Sequence, residues 1–165
     1  MADAAGAVPF VALFQSLPLA TRRRLVRRFG EDQVLAAMMG SGSLRTAQLP
    51  PPGNWGIWVI LAGRGFGKTH AGAEWVHGAA AAGGKRIALV APTLDVARAV
   101  MVEGESGLLA RLPPGQQLHW QPSAKRLVWG NGSEARLYSG AEPNSLRGGQ
   151  FDYAWGDEFA HWAGG

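Results

Sequence analysis

The sequence predicts an α/β fold built on a mostly parallel sheet with an antiparallel insert. Three observations carry this. Strand-sized apolar runs alternate with helix-length segments between residues 55 and 112. A hairpin signal, Gly130-Asn-Gly-Ser133, separates two short runs further along. Glycine and proline number 24 and 10 among 165 residues, too many for a helical bundle and enough for many turns.

Residues 1–40 read as a helical amino-terminal segment with helices over 9–17, 21–29 and 31–39. Thr21 caps the second and Gly30 stops it. That helix carries five arginines beside Leu25, Val26 and Phe29. A solvated face and a phosphate-binding patch both fit. Residues 41–54, rich in Gly, Ser and Pro, read as a linker to a domain over 55–165. There, 55–61 is expected as a buried strand, 69–82 as a helix ended by Gly83-Gly84, and 86–91 as a second strand. A helix over 94–112 stops at Pro113-Pro114-Gly115. Short strands follow over 118–121, 126–129 and 135–138, and a last one over 151–155.

Composition narrows the chemistry. With no cysteine, disulfides and thiolate metal sites are excluded. A net charge of +4 permits a polyanionic partner. The apolar stretch 8–19 is interrupted by polar residues and Pro18, and its arginines follow it, the reverse of a signal peptide. No run reaches the roughly 18 apolar residues of a membrane helix. A soluble, cytoplasmic protein is expected.

Ala62-Gly-Arg-Gly-Phe-Gly-Lys-Thr69 matches the phosphate-loop pattern G-x-x-x-x-G-K-[ST], with Ala62 in place of the first glycine. Gly63, Gly65 and Gly67 let backbone N–H groups close around phosphate oxygens, and the following helix aims its positive end at the same anion. Lys68 is expected on the β- and γ-phosphates of ATP and the Thr69 hydroxyl on Mg²⁺. A dinucleotide G-x-G-x-x-G reading fails, because Lys68 stands where its last glycine belongs. At the end of the last strand stand Asp157 and Glu158. Asp157 is expected to hold Mg²⁺, usually through water, and Glu158 to orient and deprotonate the attacking water. Asp followed by Glu points to the RecA-like, additional-strand P-loop NTPases that use a catalytic glutamate. Asp152 is expected at the strand's edge, outside the site. Arg64, inside the loop, and Arg147, eleven residues before Glu158, are expected to supply charge to the transferring phosphate, in cis or from a neighbour.

Together these segments resemble the large subunits of phage and gene-transfer-agent terminases, the DNA-packaging motors. The resemblance runs through Leu61-Ala-Gly-Arg-Gly-Phe-Gly-Lys-Thr-His-Ala-Gly-Ala-Glu-Trp-Val76, Met101-Val-Glu-Gly-Glu-Ser-Gly-Leu-Leu109, Trp129-Gly-Asn-Gly-Ser-Glu-Ala-Arg-Leu137 and Leu146-Arg-Gly-Gly-Gln-Phe-Asp-Tyr-Ala-Trp-Gly-Asp-Glu158, and covers about residues 45–162. It implies an ATPase that drives double-stranded DNA into a capsid through a portal protein, with a small terminase subunit and a homo-oligomeric ring as further partners, in the host cytoplasm. It implies Lys68 and Thr69 as the phosphate-loop pair, Arg64 as the basic residue of a variant loop, and Asp157 and Glu158 as metal-binding and catalytic acids. It also implies that Arg147 acts across subunits and Gln48 lies where adenine is read. The family's coupling motif and nuclease domain lie beyond residue 165, so a fragment or truncation is expected, with one sheet edge unpaired and apolar. Nuclease activity does not carry over. A non-catalytic remnant that binds nucleotide or a partner, and another P-loop DNA translocase or helicase, are the alternatives.

Overall fold

The computed structural model describes residues 14, 17–29, 34, 44–51, 53 and 55–162. The helices expected over 9–17 and 31–39 lie almost wholly outside them. Helix α1, Leu19–Phe29, has Arg23, Arg24, Arg27 and Arg28 exposed, with Leu25 and Val26 half-buried. Arg22 folds back, donating from Nε to the Leu17 carbonyl at 2.9 Å.

Helix α2 is Lys68–Ala80, and five strands follow: β1 Arg86–Ala91, β2 Leu118–Gln121, β3 Arg126–Trp129, β4 Glu134–Ser139 and β5 Tyr153–Gly156. They form one sheet in the order β2-β3-β4-β1-β5. β1 pairs in parallel with β4 and β5, while β2–β3 and β3–β4 are antiparallel. The sheet is therefore mixed rather than mostly parallel: the hairpin strands are built into it and supply half of its pairings.

The expected strand over 55–61 does not form. These residues join no ladder, and Ile57, Val59 and Leu61 are 83%, 65% and 92% exposed. An apolar run becomes a strand only where a partner's backbone groups meet its own. The outer edge of β5 is unpaired in this sheet, and the run is held by side chains instead. Trp55 packs against Trp75 of α2 at 6.4 Å between ring centroids, and Trp75 packs edge-on to Tyr153 of β5 at 5.8 Å. The helix expected over 94–112 is also shorter. Thr93 caps a turn over Leu94–Val96, which widens into a π-helix over Ala97–Val102, with Glu103 N–H bonded to the Arg98 carbonyl. Gly104 and Gly107 then lie so close to the carbonyls of residues 99–102 that a Cβ would meet them at 3.0 Å or less, and the chain closes back through Leu108 N–H on the Met101 carbonyl.

The core lies between α2 and one sheet face. Ala73, Val76 and Ala80 meet Ile87, Leu89 and Trp155, all buried. Small residues on α2 let the helix approach closely, and Gly72 is the extreme case: a Cβ there would fall 2.3 Å from the Trp155 ring. Gly72→Ala should cost about 1–3 kcal/mol by overpacking, read as a lower urea midpoint. An unchanged midpoint would show that Trp155 can move aside. His77 is fully buried and doubly held. Trp129 Nε1–H can only donate, so it fixes His77 Nδ1 as acceptor (3.3 Å) and leaves Nε2–H for the Leu108 carbonyl (2.9 Å). Burial pushes the His77 pKa down to about 4, keeping the ring neutral.

Candidate functional site

The loop of residues 62–67 enters α2 through two left-handed glycines, Gly65 (φ 76°) and Gly67 (φ 88°). Gly67 also caps the helix, with no side-chain cap hydrogen bond. The first-turn N–H groups of α2 are thus donors available to an anion. Lys68 folds back over the loop, its Nζ donating to the carbonyls of Ala62 (2.8 Å) and Gly63 (3.0 Å). Thr69 follows, half-buried.

A clamp holds the loop from the side. Gln48, in a 3-10 turn over Thr46–Gln48, is 3% exposed. Its Nε2 donates to the carbonyls of Phe66 (2.9 Å) and Gly67 (3.3 Å), and its Oε1 accepts from Arg45 N and Nε. Arg45 Nη2 donates to the Phe66 carbonyl as well, and its guanidinium lies over the Phe66 ring. A Cβ on Gly67 would sit 2.4 Å from the Gln48 amide and displace it, and at φ 88° any other residue would be strained. Gln48 therefore stands at the loop, with its amide committed to the loop backbone and Arg45. Arg45 was missed in the sequence, where only a segment rich in turn residues was visible.

The acid pair follows β5. Asp157 N–H donates to the Val90 carbonyl at 2.9 Å, extending the β1–β5 register by one residue. Its carboxyl Oδ1 accepts the Glu158 N–H at 3.1 Å. Glu158 is left-handed, with φ 50°, and exposed, and its carboxylate lies 3.5 Å from His161 Nδ1. Burial raises the Asp157 pKa. The Glu158 N–H bond opposes that, the Glu158 charge adds to it and Lys68 opposes it. The contact of Gly72 with Trp155 sets α2 directly against β5. Arg64 and Arg147 are exposed, and among the described residues no side-chain hydrogen bond or ion pair joins either to the loop or the acids. Asp152 lies just before β5 and accepts Arg86 N–H at 2.8 Å on Oδ2, outside the site.

In the second turn of α2, Glu74 is buried, with Oε1 3.4 Å from His70 Nε2 and Oε2 without a hydrogen-bond partner. Burial raises its pKa from 4.5 to about 7, partly offset by Arg111. The folded chain keeps this proton where the unfolded chain has released it, so the contribution of Glu74 to stability falls as pH rises from 4.5 to about 7 and stays lowered above. Glu74→Gln removes that loss. Its stability relative to the parent should grow as pH rises through this window, as urea midpoints measured from pH 4.5 to 8 would show. A difference independent of pH would contradict it.

Comparison with known proteins adds a family. Residues 59–165 match the model of the terminase large subunit, T4likevirus-type, N-terminal part. Among solved structures the chain is similar to the large terminase ATPase domain of Thermus phage P74-26, at 28% identity and a TM-score of 0.48, covering 61% of this chain and 47% of that one. A mutant of the same domain matches at 27% identity and a TM-score of 0.45, covering 58% and 45%. The chain spans about half the length of these two structures. No curated protein sequence matches it.

Proposed function

The chain belongs to the terminase large subunit family, T4-type, in its N-terminal part, and from that premise we propose that it is the ATP-binding and ATP-hydrolysing part of a motor that packages double-stranded DNA. The observation that carries this reading is the meeting of two motifs distant in sequence: Gly72 of α2, the helix headed by Lys68, packs on Trp155 of β5, the strand that leads to Asp157. Such a pair suits a P-loop of the RecA-like type.

The donors fit ATP with Mg²⁺. Left-handed Gly65 and Gly67, the Gly63 backbone and the N–H groups of the first turn of α2 suit phosphate oxygens. Lys68 leaves the Ala62 and Gly63 carbonyls to pair with phosphate. The Thr69 hydroxyl and Asp157 are hard oxygen donors, and a carboxyl whose burial disfavours its charge gains from a cation beside it. Bound Mg²⁺ supplies charge neutralisation at the phosphates. Glu158 accepts the proton of the attacking water, and its exposure leaves that carboxylate open to solvent. Arg64 meets the phosphates from within the loop. Arg147 serves a neighbouring subunit of a ring, a role that its exposure after the turn over Pro143–Leu146 supports. Gln48 and Arg45 hold the loop, and Gln48 lies where adenine is read. Residues 55–165 are the ATPase part, and 41–54 the connection to it, of which Gln48 packs on the loop. A portal protein and a small subunit are the further partners, and the host cytoplasm is the location. Among the described residues no helix is long and apolar enough to cross a membrane.

Nucleotide binding without catalysis is the second reading, favoured by the exposed Ile57, Val59 and Leu61 in the segment leading into the loop. Phosphate release compared with ATP binding on the purified chain separates the two. Binding with release supports the motor reading, and binding without release supports the second.

A further inference from the structure

The peptide joining Asp157 to Glu158 is held at both ends. Its N–H donates to the Asp157 carboxyl at 3.1 Å, and its carbonyl accepts Trp162 Nε1–H at 2.9 Å. A 3-10 turn over Phe159–His161 brings Trp162 back toward the pair, and Phe159 packs edge-on against its ring at 4.9 Å between centroids. The indole fills a slot made by two glycines. A Cβ on Gly140, just after β4, would lie 2.5 Å from its Cγ, and one on Gly156, in β5, 3.0 Å from its far edge. Because β1 lies between β4 and β5, the ring spans the carboxyl ends of three strands. It ties the acid pair to the sheet as well as to its own turn. Glu158, at φ 50°, sits in a region that a non-glycine residue occupies only when its surroundings hold it there.

We propose that Trp162 is a positioning residue for the acid pair, with Gly140 and Gly156 as its slot. It holds the Asp157–Glu158 peptide so that the Asp157 carboxyl faces the metal of a bound nucleotide. This rests on the reading of Asp157 given above. The test is titration calorimetry of the full chain with ATP, once with Mg²⁺ and once with EDTA, on the parent, Asp157→Ala, Trp162→Ala, Trp162→Phe and Gly140→Ala. Mg²⁺ should tighten binding to the parent and not to Asp157→Ala. Trp162→Ala should lose about ten- to a hundredfold of that gain and keep the parent's affinity in EDTA. Trp162→Phe, which keeps the ring but not the donor, should recover part of it. Gly140→Ala, which displaces the ring, should match Trp162→Ala and add nothing in the double variant. A full Mg²⁺ gain in Trp162→Ala, or an equal loss in EDTA, overturns the role of Trp162 while leaving that of Asp157. A parent without the gain, or Asp157→Ala retaining it, overturns both.

Discussion

Lys68→Ala is expected to weaken ATP binding by roughly 2–5 kcal/mol, at least about thirtyfold in Kd. The glycine loop and the head of α2 offer only backbone dipoles to an anion, and Lys68 is the mobile full charge that closes on it. Its present partners are two carbonyls at 2.8 and 3.0 Å, which it can exchange for phosphate oxygens. Those bonds also brace the loop, so circular dichroism of the variant should confirm an intact fold before calorimetric titration with ATP and Mg²⁺. Unchanged affinity would remove residues 62–69 as a phosphate site.

Glu158→Gln should keep ATP affinity and lose turnover by about 10²–10⁴-fold. The amide keeps the shape of the carboxylate and cannot take the proton of water. Because Glu158 is exposed and its carboxylate meets His161 only at 3.5 Å, the exchange should disturb little else. Single-turnover phosphate release at saturating ATP reads this directly, and release at the parent rate would rule out the role.

What the sequence made legible was whatever is contiguous along the chain. The strands over Arg86–Ala91, Leu118–Gln121 and Arg126–Trp129 match their expected limits, and β4 runs one residue further at each end than the expected 135–138, because short apolar runs and turn residues bound them locally. β5 starts two residues later than expected, because Phe151 turns to pack on Tyr138 and Asp152 spends its carboxyl on Arg86 N–H. Residues 55–61 carry strand composition, but a ladder needs a second chain segment, and no local pattern reveals whether one is present. The long helix failed on Gly104 and Gly107, whose packing against carbonyls shows only in three dimensions. The same divide runs through the candidate site. Its loop and acid pair are runs of adjacent residues and were visible. Arg45, Trp162 and Gly72 act through single carbonyls or bare glycine surfaces, which leave no spacing to read.

The central claim is that the loop and the acid pair form one nucleotide–metal site, and Fe²⁺ substituted for Mg²⁺ with ATP tests it most directly. Hydroxyl radicals made at the iron cut the backbone nearest to it. Cuts within residues 62–69 and again around 157–158, both lost in Lys68→Ala, are the predicted result. Cuts in the loop with none near Asp157, or the same pattern without ATP, would contradict it.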